Sequence, residues 1–263
     1  MFEDLINTEN LFCDKYKSVV LYEHLPELKL LKELISIIEE SVTKKNIYNS
    51  WSHDGICYIF ANTIVEYSKM AYDNLIIGHF DVVSMINRAI CENLVCMEII
   101  FNDKTENLWK YYLVHSHKKS LYSFSKEISK DNIEKLNKLY IELDIENEFY
   151  EKRGKKSAYI DLNYGWTYKC NPKGNFTFRG ICDLVDKRFY DDFKFLSYYS
   201  HGTNLYTKIL SQTSIDHIMN MISLMYILLY RLSVLFCLDN IDDSFYEITE
   251  CIETILYNYV YEF

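Results

Sequence analysis

At 263 residues and a formal net charge of −10, the chain can bury a sizeable core, and its acidity excludes a protein coated throughout in nucleic-acid-binding surface. Seven Gly and two Pro are too few for a many-turned β sandwich and favour long helices with few connections. Eight Cys, at 13, 57, 91, 96, 170, 182, 237 and 251, form no C-x-x-C pair and read as reduced thiols, most of them core filler.

The first segment, MFEDLINTENLFCDKYK, has no basic start, no uninterrupted apolar stretch and no small-residue cleavage site. It is not a secretory signal, and the expected compartment is cytoplasmic. Leu28, Leu31, Ile35, Ile38 and Val42 then recur at steps of three and four, which predicts an amphipathic helix over 26–45 with Pro26 in its first turn. Further helices are predicted over 51–75, ending near Gly78, and over 79–101 and 106–121. His115-x-His117 lies at i, i+2, which sends the two rings to different sides of a helix; no metal and no cofactor is expected. A charged, periodic stretch over 125–150 predicts a wet helix with an apolar stripe from Ile128 to Leu143.

The pattern changes next. SAYIDLNYGWTY, residues 157–168, is rich in aromatic and β-favouring residues, and Asn171-Pro172-Lys173-Gly174 is a turn, so a small irregular or β insert is expected around 155–176, with a short hairpin as one form of it. Between Lys152 and Arg179 stand seven bases against one acid, Asp161, a charge of +6 that leaves −16 for the rest. Tyr164 and Trp166 interleave with Lys152, Arg153, Lys155, Lys156 and Lys169, a mix that can neutralise phosphate and stack bases. The same mix also fits a solvated excursion with anchoring aromatics. Helices resume over 177–187, 188–201, 215–238 and 242–261. No linker, low-complexity tract or repeat interrupts the chain, so the expectation is one all-α helical bundle, 1–263, carrying the 152–179 insert. Residues 218–238 are long enough to span a bilayer, but Arg231 sits inside them, and a buried central helix is the reading adopted.

Two polar clusters interrupt apolar helices. Arg88-x3-Glu92 lies in MINRAICENLVCMEIIF, and Ser197-x2-Ser200-His201-Gly202 closes the helix over 188–201. On a helical wheel Arg88 and Glu92 share their side with Met85, Val95, Cys96 and Ile99, so both are expected to be partly buried and within reach of each other. Ser197 and His201 fall on one stripe, and Gly202 reads as the glycine past a helix C-terminus. A structural ion pair and a carbonyl-capping imidazole account for the clusters separately; a convergent site accounts for them together. As a site, His201 would move protons, Arg88 would bind phosphate or a developing oxyanion, and Glu92 would orient Arg88 or tune the imidazole. That set suits metal-free cleavage of RNA through the ribose hydroxyl. No G-x-S-x-G elbow presents Ser197 as a hydrolase nucleophile, and no phosphate-cradling glycine loop supports NTP or dinucleotide chemistry.

At Arg88-x3-Glu92, Tyr164-Gly165-Trp166 and Tyr190-x6-Ser197-x2-Ser200-His201-Gly202, the chain resembles a bacterial family, domain of unknown function 5677, over about Asn62 to Leu205. The family's layout is similar to that of the HEPN superfamily, helical bundles that include dimeric RNases, toxins and phage-defence effectors. The resemblance implies a HEPN-like bundle, dimerisation and an RNA-related role; a cognate defence or antitoxin protein is the other expected partner, and the buried-helix reading of residues 218–238 expects no membrane. The sequence departs from the HEPN nuclease signature, an Arg followed four to six residues later by a His, which none of its arginines meets. Two functions therefore stand side by side. One is an RNA-acting toxin or defence effector, a metal-independent ribonuclease using Arg88, Glu92, Ser197 and His201. The other is a non-enzymatic partner or sensor module whose polar clusters are structural.

Overall fold

A computed structural model describes residues 26–47, 51–105, 107–124, 157–200, 215–241 and 243–261, with six isolated positions between 134 and 151. Eight α-helices and no strand occur among the described residues. They are α1 (Pro26–Lys44), α2 (His53–Ile76), α3 (Phe80–Phe101), α4 (Leu108–Phe124), α5 (Phe178–Val185), α6 (Arg188–Ser200), α7 (Ile215–Leu232) and α8 (Asp243–Tyr261). The protein is all-α, as its scarcity of turn-formers implies. The helix predicted over 125–150 lies largely outside the described residues.

Local chemistry sets the helix ends. Ser52 caps α2 by accepting the Gly55 N–H at 3.0 Å. The same helix stops at Gly78, whose φ of 74° is easy only for glycine. The Gly78 N–H donates to the Leu75 carbonyl at 3.1 Å and the His79 N–H to Asn74 at 2.9 Å, the paired bonds of a Schellman ending. Asp103 gathers the N–H groups of Asn107 and Leu108 at 2.9 and 2.8 Å and so starts α4. Thr177 starts α5 by accepting the Gly180 N–H at 3.2 Å.

No linker is visible in the sequence, yet the chain divides into two compact units interleaved along it. The first holds Met1–Ile47, Tyr58–Leu94 and Asp191–Phe263; the second holds Tyr48–Cys57 and Val95–Tyr190. In the first unit, α1 buries Leu28, Leu31, Leu34, Ile35, Ile38 and Val42 and packs on α7 and α8. Each of those side chains contributes about 1.5–3 kcal/mol by leaving water. Helix α7 runs on through a π turn, Ser233–Cys237, into a 3-10 turn, Leu238–Asn240. Met219–Asn240 is long and apolar enough to cross a membrane by length and composition, and 61% of its apolar 18-residue window is buried in the protein. It is not wholly buried, however, as Ile227, Tyr230, Val234 and Leu238 face outward.

The second unit shows the insert to be irregular, as expected, and without the hairpin among the described residues. Residues 157–168 form two 3-10 turns, Tyr159–Asp161 and Gly165–Thr167, rather than a hairpin. Their aromatic rings are drawn into a core instead of alternating across a pleat. Tyr168 packs against Tyr159, Tyr111 and Phe149 with centroids 4.3, 5.2 and 5.7 Å away. Gly165 makes this possible: a Cβ there would lie 1.7 Å from the Tyr159 carbonyl oxygen. The Asn171–Gly174 turn is as expected, with Gly174 at φ 61° and its N–H donating to Asn171 at 3.0 Å.

Candidate functional site

Within the first unit, α3 carries Arg88 and Glu92, both half-buried as their apolar surroundings imply. They form no ion pair with each other, although the spacing puts them within reach. Arg88 instead places its Cζ over the Phe193 ring of α6, 4.3 Å from the centroid. Two effects favour this arrangement. An acid N-terminal to a base is the better order at i, i+4, and here the order is reversed. A partly desolvated guanidinium also gains about 1–2 kcal/mol on an aromatic face.

Phe193 joins the two polar clusters. Ser197, one turn further along α6, donates its Oγ–H to the Phe193 carbonyl at 2.7 Å. This bond back to its own helix engages the hydroxyl proton with the Phe193 carbonyl. Arg88 and Ser197 thus both meet Phe193, one at its ring and the other at its carbonyl. His201, Gly202 and the Ser200 side chain, which the sequence places at its end, lie outside the described residues.

The sequence reading missed one polar residue of α3. Asn87 is fully buried, and neither its Oδ1 nor its Nδ2 has a hydrogen-bond partner among the described residues. Ser84, one turn earlier and also fully buried, donates to the Met221 sulfur at 3.6 Å. Ser84, Asn87, Arg88 and Cys91 follow at i, i+3, i+4 and i+7, so a polar seam runs along a helix otherwise apolar on that face. That spacing was the available signal.

The basic and aromatic segment belongs to the second unit. Trp166 is 1% exposed and stands edge-on to Tyr112, with centroids 5.3 Å apart and planes at 83°. A ring so enclosed offers no face to a base, so Trp166 is a core residue. Tyr164 is half-buried and leans on Phe178 at 6.1 Å. Lys169 is exposed, with its ammonium 5.1 Å from the Tyr168 ring. Lys152, Arg153, Lys155 and Lys156 lie outside the described residues.

The remaining titratable groups fit a structural role. Burial pushes the thiols of Cys57 and Cys237 up to about 12 and that of Cys170 to about 11, so none is a ready nucleophile. His115 donates from Nε2 to the Leu162 carbonyl at 2.6 Å, while His117 stacks on Trp51 with centroids 5.5 Å apart, and burial holds His117 below the usual imidazole value. Among the described residues no group of three or more His, Cys, Asp or Glu side chains is gathered as a metal ion would need.

No curated protein and no solved structure matches the chain. The model of a family of unknown function, DUF5677, matches residues 53–217, which take in α2 to α6 and with them Arg88, Glu92, Gly165, Phe193 and Ser197. With well over half its length matched, the chain belongs to the DUF5677 family.

Proposed function

We propose that the protein is an RNA-acting effector, a metal-independent ribonuclease of HEPN-like layout serving as a toxin or defence component. The single observation that carries this reading is the Arg88 guanidinium seated on Phe193, one helical turn before Ser197 on the stripe that leads to His201. Arg88 is always charged and would hold the scissile phosphate and its developing negative charge. His201 would transfer the proton. In the net step the ribose 2′-oxygen forms a new bond to phosphorus, the bond from phosphorus to the 5′-oxygen breaks, and a proton passes from the first oxygen to the second. Glu92 would tune the imidazole, and Ser197 would order α6 through its bond to the Phe193 carbonyl. Lys152, Arg153, Lys155, Lys156, Tyr164 and Lys169 are the proposed contacts to the RNA backbone.

The test is incubation of the purified protein with end-labelled RNA in EDTA, reading 2′,3′-cyclic phosphate ends. Cleavage by the wild type is expected, with kcat/KM reduced about 10²–10³-fold in Arg88→Ala and abolished in His201→Ala, while the melting temperature of His201→Ala changes little. Cleavage that survives both substitutions, or none by the wild type on structured and single-stranded RNA, would overturn the reading.

One observation favours a second reading. A guanidinium already engaged on an aromatic ring pins α3 to α6 without any substrate, as a non-enzymatic partner or sensor module would need. In that case Arg88→Ala lowers stability and leaves no catalytic defect to measure.

A further inference from the structure

Helix α7 lies in the most apolar segment of the chain, and one side of it is bare. Ile227, Tyr230, Val234 and Leu238 are 48, 40, 44 and 51% exposed. They succeed one another at steps of three, four and four residues, which lays a single stripe along α7 and its π and 3-10 extension. The other side of the helix is filled: Met221, Ile222, Met225, Leu228, Leu229 and Leu232 are buried, and α7 packs on α1 and α8. The outward side of a packed helix is ordinarily polar, and exposed apolar side chains aligned over three turns mark an interaction site.

The stripe continues onto α8. Tyr230 stacks on Phe245 with centroids 6.1 Å apart and planes at 16°, and Phe245 meets Tyr246 edge-on at 5.5 Å. Tyr246 and Tyr257 are exposed, and between them Glu247, Glu250 and Glu253 are exposed as well. From Ile227 to Tyr257 the sequence holds six acids against one base, the half-buried Arg231 of α7. Lys45 of α1's C-terminal edge pairs with Asp239 at 3.2 Å, and Glu253 accepts the Tyr226 hydroxyl at 2.6 Å. Glu247 and Glu250 form no ion pair among the described residues.

We propose that this apolar stripe, with its acidic border on α8, is a docking surface for a basic amphipathic helix of another protein. Leu- or Ile-sized side chains at three- and four-residue steps would cover Ile227, Tyr230, Val234 and Leu238, and Lys or Arg on the flank would reach Glu247 and Glu250. Charge decides the occupant. A second copy of this chain would bring an acidic border against an acidic border, and nucleic acid and anionic lipid carry the same sign. The surface uses neither Arg88 nor His201, so it stands apart from the RNA chemistry proposed above.

The test uses the full chain and a fluorescein-labelled helical peptide of about 18 residues, with Leu at three- and four-residue steps and Lys on the flank. Controls are a scrambled peptide and one with Glu in place of Lys. Anisotropy should show salt-sensitive binding of the Lys peptide, weakened about tenfold or more by Val234→Asp and by the Glu247→Lys/Glu250→Lys double variant. The double variant should in turn bind the Glu peptide, a reversal that non-specific attraction to an acidic protein does not produce. Both Glu positions are exposed, so the charge arm holds even if Val234→Asp unfolds. Equal binding of the scrambled peptide, affinity indifferent to these substitutions, a dimer dissolved by Val234→Asp in sedimentation, or retention on phosphatidylserine vesicles would each overturn the proposal.

Discussion

The Cζ atom of Arg88 stands 4.3 Å from the centre of the Phe193 ring, so a permanent charge from α3 rests on an aromatic face of α6. The two residues are far apart in sequence and belong to the two segments that carry the chain's polar clusters. Glu92, one turn away on the same helix, is the partner that spacing alone would select. The aromatic ring takes its place because it satisfies the guanidinium without requiring a second charge to leave water.

Coupling between Arg88 and Phe193 is therefore expected in a double-mutant cycle. Urea denaturation of the wild type, Arg88→Met, Phe193→Leu and the double variant should give an interaction energy of about 1–2 kcal/mol. Additive effects would show that the ring contributes nothing specific to holding Arg88.

Asn87 leads to an expectation of opposite sign. Its side-chain amide is buried without a partner among the described residues, an arrangement that costs about 1–3 kcal/mol. Asn87→Leu, close in volume, should raise the melting temperature of the unliganded protein. A fall instead would mean that an internal water satisfies the amide and belongs to the folded structure.

Gly165 tolerates no side chain. With a Cβ placed 1.7 Å from the Tyr159 oxygen, Gly165→Ala must separate the two 3-10 turns that hold Trp166, at a cost of about 3 kcal/mol or more. Thermal melts and a red shift of tryptophan emission measure the effect. A variant as stable as the wild type would refute the close approach.

Asp103 makes a pH-dependent contribution. Burial would raise its carboxyl, but the N–H groups of Leu108, Thr105 and Asn107 and the Thr105 hydroxyl outweigh that and hold it below 3.8. The carboxylate is then the form the folded state prefers. Its contribution is complete above 3.8 and lost as pH falls through the lower folded value. Asp103→Ala should cost about 1–2 kcal/mol near neutrality, and its melting curve should converge on that of the wild type in strong acid.

Much of the first level of structure was legible in the sequence because it depends on neighbours along the chain. The steps from Leu28 to Val42 gave α1, the glycine at 78 ended α2, and the scarcity of Gly and Pro set the all-α class. The half-burial of Arg88 and Glu92 followed from the apolar residues around them. The change of pattern from Tyr159 to Tyr168 marks an irregular insert, but whether it holds a hairpin is not legible, because local preference for strands and burial in a core draw on the same side chains.

Composition and period thus determined which segments are helices and which of their residues are out of place in an apolar setting. The tertiary structure alone decided what those residues meet: Arg88 finds Phe193 rather than Glu92, Trp166 finds Tyr112 rather than solvent, and the stripe from Ile227 to Leu238 stays 40–51% exposed although Tyr230 stacks on Phe245. The physical reason is range. Backbone hydrogen bonds and helical spacing act within a few residues, whereas burial and ring contacts are set by whichever distant segment the core brings alongside.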